Sequence, residues 1–314
     1  MMYWQTLLFT LETTMPVILL VVLGIWLKYR GIVDSAFVEA SSKLVFRVSL
    51  PVLMFMAIAT ADIQLEQHLE LTVFVALAAV IAYFAAVWWA TLVGVNVVQY
   101  GAFVQASFRS NLGIVGLALC INAYGDDGAV LGALVLAVVT PIYNLLSVWV
   151  LAQQGQAVNW RQQWVAMAQN PLIIAIVLAV PFSVSGLEIP TMVARAGNAL
   201  ASMTLPLALI GIGASLSASA LKQANRLTWH IVGLKLLVLP TLVGVAAWCL
   251  GFRHEELAII VLMFASPTAA AAFVMAGAMK ADVKLTANAI ALTTLGAGIT
   301  VSGFVYVIGL LPLV

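Results

Sequence analysis

Four polar groups interrupt an otherwise apolar chain, and their residue types limit the chemistry it can host. Arg109-Ser110-Asn111-Leu112-Gly113 sits about midway along one hydrophobic stretch, and Ser266-Pro267-Thr268 interrupts a later one. Tyr143-Asn144 follows Thr140-Pro141, and Lys235 stands alone. Arg109 is the most costly of these, because a guanidinium keeps its proton and cannot easily snorkel from mid-membrane. Its planar fork suits a substrate carboxylate; backbone carbonyls or an aqueous vestibule could also satisfy it. Asn111 offers a donor and an acceptor. Ser266 and Thr268 offer hydroxyls, to a ligand or as caps of interrupted helices. Tyr143 and Asn144 could share a cavity with them or bond between helices. Lys235 could bring charge to that cavity, but its stem also reaches the cytoplasmic interface, the reading preferred from sequence. Gly113 and Pro267 mark the two breaks.

Enzyme chemistry finds no support. The chain has no GxxxxGK[ST] phosphate loop, no H-E-x-x-H and no G-x-S-x-G, so no ATP-driven pump, metallohydrolase or serine hydrolase is expected. His68, His230 and His254 are far apart, and no Cys/His spacing resembles a metal site, so neither metal nor cofactor is expected. Cys120 and Cys249 lie in apolar stretches and read as small buried hydrophobes.

The surroundings of these groups are those of a bilayer protein. Of 314 residues, 64% are hydrophobic and 8% charged, far from the roughly 25% charge of a soluble domain. Lys+Arg 13 against Asp+Glu 12 leaves no basic surface for nucleic acid. Hydropathy and turn residues give ten candidate spans of about 20 residues. They run about Leu7–Leu27, Ala36–Ala59, Leu71–Leu92, Gly101–Tyr124 and Val130–Leu151, then Trp164–Val184, Asn198–Leu216, Thr228–Leu250, Leu257–Met279 and Leu285–Leu311. Connections after odd spans hold Lys28, Arg30, Arg161, Lys222, Arg226, Lys280 and Lys284, whereas those after even spans hold Arg195 and Arg253. The first set is expected in the cytoplasm, which puts both termini outside a multi-pass cytoplasmic (inner) membrane protein.

The halves match each other. A shift of 155 positions lays Met15-Pro16-Val17-Ile18 on Asn170-Pro171-Leu172-Ile173, and Ser49-Leu50-Pro51 on Thr204-Leu205-Pro206. One further residue lays Phe108-Arg109-Ser110-Asn111 on Phe264-Ala265-Ser266-Pro267. Five spans are an odd number, so residues 1–151 and 164–314 are expected to be oppositely inserted copies. Matched breaks in inverted repeats point to a transport site. The expected fold is an all-α polytopic membrane protein of ten helices in two inverted five-helix repeats, with helices four and nine discontinuous.

The chain resembles the auxin efflux carrier family, the bacterial relatives of plant PIN exporters. The resemblance rests on Ser49-Leu50-Pro51-Val52-Leu53, Ser110-Asn111-Leu112-Gly113-Ile114-Val115-Gly116, Pro141-Ile142-Tyr143-Asn144, Asn170-Pro171-Leu172-Ile173-Ile174, Leu205-Pro206-Leu207-Ala208-Leu209-Ile210 with Gly213, and Lys235 with Pro240. It implies that discontinuous helices four and nine cross at the substrate site, with a scaffold of spans 1, 2, 6 and 7, a mobile unit of spans 3 to 5 and 8 to 10, and often a homodimer. It also implies a small organic anion as substrate, malonate or malate in bacterial members and indole-3-acetate in plant ones. No Asp or Glu lies near either break, unlike the antiporter relatives whose carboxylates hold the coupling ion. The expected function is a secondary transporter of such an anion by alternating access. A sodium-coupled symporter of bile-acid type and an anion-binding receptor that moves nothing are the alternatives.

Overall fold

A computed structural model describes residues 2–60, 68–152, 161, 165, 168–185, 187, 189–216 and 224–310. The expected start of the sixth span at Trp164, the end of the tenth at Leu311, and Lys222 lie outside the described residues. Among those described, every regular element is helical.

Helix α1 (Met2–Tyr29) is followed by α2 (Ser35–Leu44), which continues through a π-helical turn (Val45–Ser49) into α3 (Leu50–Ala59). Next come α4 (Leu69–Val93) and α5 (Val97–Phe108). A second π-turn (Leu112–Gly116) leads into α6 (Leu117–Ala152), which bends at Gly125 (φ 56°), a left-handed position suited to glycine. The remainder comprises α7 (Pro171–Ser185), α8 (Thr191–Ser202) and α9 (Thr204–Ser215). It continues with α10 (Arg226–Gly233), a third π-turn (Leu234–Val238), α11 (Leu239–Cys249), α12 (His254–Ala265), α13 (Ala271–Ala278) and α14 (Val283–Leu310).

Local chemistry sets these boundaries. Asp34 caps α2 by accepting from Phe37 N, Asn96 caps α5 through Gln99 N, and Asn225 forms a capping box with Thr228 at the start of α10. Gly94, at φ 71°, ends α4 in the left-handed region. Two π-turns stand just before Leu-Pro pairs, Leu50-Pro51 and Leu239-Pro240. A proline cannot donate to the carbonyl four residues back, and its ring crowds that carbonyl. The chain widens instead, with Leu50 N bonding Val45 O and Leu239 N bonding Leu234 O.

Among the described residues, seven stretches are long and apolar enough to cross a membrane: Trp4–Tyr29, Ser35–Ala59, Leu69–Val93, Leu112–Ala152, Thr191–Ser215, Arg226–Cys249 and Val283–Leu310. The sequence reads as ten. The difference arises at the breaks, which leave α5 and α12 at 12 residues each and α13 at 8, while Leu112–Ala152 runs for 41. Helix α7 has 15 residues.

Two further expectations are corrected. The seventh span, expected from Asn198, belongs to a helical stretch starting at Thr191, because Pro190 with its fixed φ sets the helix start. Arg195 is therefore on a helix and not in a connection. Cys249, expected to be buried, is exposed at the end of α11, since an apolar residue on a bilayer helix can face outward, whereas Cys120 is buried.

Helix α1 packs along α9, and α3 along α7 and α8. The α1–α9 crossing is close because Gly24 and Gly213 face it. A Cβ on Gly213 would lie 2.0 Å from Val21 O, and one on Gly24 would lie 2.2 Å from Ile210 O. Helices α4, α5, α6, α12 and α14 pack around the two interruptions, with α10 against α14 and α11 against α12.

Candidate functional site

The two interruptions meet. Helix α5 stops at Phe108, Arg109 turns extended (φ −79°, ψ 102°), and Ser110 pairs with Thr268 as an isolated antiparallel bridge. Asn111 N donates to Pro267 O at 2.8 Å, and Ala269 N donates to Arg109 O at 3.0 Å. Backbone that leaves a helix inside a bilayer must find partners within the protein, and each break supplies them to the other.

Side chains extend this exchange. The last carbonyls of a helix have no partner within it. Thr268 Oγ1 donates across to Ala106 O near the end of α5 at 2.7 Å, and Ser110 Oγ donates across to Phe264 O near the end of α12 at 3.2 Å. Each hydroxyl thus caps the opposite helix. Thr293 of α14 completes the arrangement by accepting from Thr268 N at 3.1 Å.

Arg109 and Lys235 stand beside this crossing and are nearly sealed, with 7% and 1% of their surface exposed. Arg109 Nη2 donates to Asn144 Oδ1 at 2.7 Å, and Nη1 donates to Ser147 Oγ at 3.0 Å. Its Nε is buried without a hydrogen-bond partner among the described residues. Lys235 Nζ donates to Phe264 O at 2.6 Å and to Ser110 Oγ at 2.7 Å. The sequence preference for a snorkelling Lys235 is corrected: the residue lies in the third π-turn, facing the interior of the bundle. Tyr143 OH donates to Ser110 Oγ at 3.5 Å, and its ring stands edge-on to Phe108 at 5.3 Å. Among the described residues no carboxylate oxygen lies within 4.0 Å of either cation; the ion pairs found are Lys43–Glu39 and His68–Glu256. No group of three His, Cys, Asp or Glu there could hold a metal.

Arg109, Asn144, Tyr143, Thr268, Pro267, Asn111 and Lys235 are thereby joined through hydrogen bonds or a ring contact. Asn111 is buried and takes part through its backbone; its side chain does not cap the π-turn it precedes. Ser266 is buried but bonds back to Met263 O at 2.7 Å within its own helix. Gly113 is packed against Leu136 and Leu50: a Cβ there would lie 3.2 Å from one and 3.4 Å from the other. Ser147 and Thr293 were not singled out from sequence. Ser147 follows Asn144 by one helical turn on the same face, a spacing that could have disclosed it.

Two cavities open at opposite ends of the α2–α3 rod. One of about 490 Å³ is lined by Glu39, Ser42 and Ser215 and reaches Ile114 and Ala270, which flank the breaks. The other, about 650 Å³, is lined by Thr60, His68, Asp126, Asp127 and Glu255 and ends on Leu53 and Leu131.

Comparison with known proteins agrees with a membrane carrier. A family model described as membrane transport protein matches residues 9–305. An uncharacterized transporter of Methanothermobacter thermautotrophicus is 26% identical over 293 residues, 90% of this chain and 93% of its own length. The uncharacterized transporter YfdV of Escherichia coli K12 is 22% identical over 309 residues, 95% of this chain and 98% of its own. Another, MJ1031 of Methanocaldococcus jannaschii, is 22% identical over 298 residues, covering 90% and 94%. A match over nearly the whole length, on a chain whose described elements are helical and include seven stretches apolar enough to cross a membrane, makes this protein a member of the membrane transport protein family, the family of the auxin efflux carriers.

Proposed function

We propose that the protein is a secondary carrier of a small organic anion, a dicarboxylate of the malonate or malate type or an auxin-like carboxylate, with Arg109 as its anion fork. The observation that carries the reading is the pair of sealed cations at the crossing, with no carboxylate within reach among the described residues. Burying a charge without a counter-charge is costly, and a cargo carboxylate would offset that cost. Asn144 and Ser147 hold the fork in position, and among the described residues the Nε donor has no partner to displace. Asn111, Tyr143, Ser266 and Thr268 would shape the pocket around it.

In this reading the chain is ten spans in two oppositely inserted copies, 1–151 and 164–314. The hydroxyl caps that each interruption gives the other helix, Ser110 on Phe264 O and Thr268 on Ala106 O, are in keeping with a site shared by the two copies. Spans 1, 2, 6 and 7 form a scaffold, in keeping with the packing of α1 on α9 and α3 on α7, and the rest carries the cargo as an elevator. The two cavities at opposite ends suit alternating access, and the positive-inside rule makes the end holding Glu39 and Ser42 cytoplasmic. In this reading the carrier works in the inner membrane, as a homodimer.

Proteoliposomes loaded with labelled malonate, malate or indole-3-acetate test this. Flux of at least one anion is expected, falling about 10- to 100-fold in Arg109→Ala, the loss of one charge-assisted contact. Binding without flux would make the protein a receptor; equal flux in Arg109→Ala would remove Arg109 from the site.

A further inference from the structure

We propose that the Lys235 ammonium is a resident cation, occupying the position at the crossing that a coupling metal ion would take, so that the carrier runs without an alkali-ion gradient. The proposal rests on the carrier reading above and adds its coupling.

The contacts of Lys235 Nζ are oxygen atoms of the kind a hard cation gathers. One is Phe264 O, at the C-terminal end of α12 where a helix presents its unpaired carbonyls and its partial negative charge; the other is the Ser110 hydroxyl of the opposite break. Carriers with broken helices hold their coupling ions at such unwound carbonyls and half-helix ends. Here the distances of 2.6 and 2.7 Å are those of charge-assisted hydrogen bonds, and the donor is tethered to its own helix. It is therefore always bound.

The other half lacks this feature. Near the end of the other interrupted helix, Ala106 O is capped by the neutral Thr268 hydroxyl. The residue 155 positions before Lys235 is Val80, and Ala79 stands at the adjusted register. The Lys235 ammonium is thus built onto the end of α12, and the end of α5 has no lysine in its place. A metal ion at the same oxygens would stand against the ammonium with no carboxylate within 4.0 Å among the described residues to offset the repulsion.

The test uses the purified full-length protein. Wild-type melting temperature is expected to be equal in sodium, potassium and choline chloride at matched ionic strength; a rise specific to sodium would overturn the proposal. Lys235→Ala is expected to melt lower, and to recover part of the loss in methylammonium or sodium chloride but not in choline chloride, because the vacated oxygens accept a small cation. A folded Lys235→Ala indifferent to every cation would also overturn it. Should that variant fail to fold, wild-type melting and flux decide. In liposomes, wild-type anion flux is expected to change less than twofold when the sodium gradient is removed, and a tenfold fall would refute the assignment. Absence of flux for every anion would count against the carrier reading alone, since the melting measurements stand without it.

Discussion

Arg109 holds two neutral partners from one face of α6, Asn144 and Ser147, one helical turn apart. Such a fork is not interchangeable with an ammonium. Arg109→Lys keeps the charge but cannot span both oxygens, so the affinity for a carboxylate is expected to fall about tenfold, near 1.4 kcal/mol. Equilibrium binding of the labelled anion measures this, and unchanged affinity would mean that charge alone suffices. The types of Arg109, Asn111, Tyr143 and Asn144 were legible because each is expensive in an apolar stretch. The direction of Lys235 was not, since the facing of a helix residue depends on its neighbours, and a π-turn shifts that facing further. Thr293 was invisible for another reason. It serves a backbone N–H that exists as a free donor only because the helix before it has ended.

The interrupted helices were readable from Arg109-Ser110-Asn111-Leu112-Gly113 and Ser266-Pro267-Thr268, where polar groups, Gly and Pro oppose a continuous helix. Their pairing into a bridge needed coordinates, because hydrogen bonds between residues 110 and 268 leave no local trace. The π-turns before Pro51 and Pro240 follow from proline chemistry but were not expected, since a straight kink would also accommodate the missing donor. One prediction belongs to these elements. Thr293→Val removes the acceptor of Thr268 N while keeping the side-chain shape, and should cost about 1–3 kcal/mol for an unsatisfied buried group. Thermal melting in detergent measures it, with Thr72→Val on the exposed part of α4 as a control expected to change little. Equal melting of the two variants would show that water or a rearranged backbone replaces Thr293.

The composition announced a multi-pass membrane protein before any motif was considered. Counting helices was less direct, because a 41-residue stretch from Leu112 to Ala152 and three short segments around the breaks do not divide on hydropathy alone. Orientation is open to a direct experiment. With Cys249, the exposed thiol, replaced by alanine, an impermeant maleimide should label Thr60→Cys in intact cells and Ser42→Cys only after permeabilisation. The reverse pattern would invert the topology.

The crossed caps also bear on how such a chain could be divided. Without Thr268 the Ala106 oxygen would lose its hydroxyl donor, and without Ser110 so would the Phe264 oxygen. Each portion carries a cap that the other needs, so a chain divided between the two breaks is expected to yield stable products only when both pieces are made together.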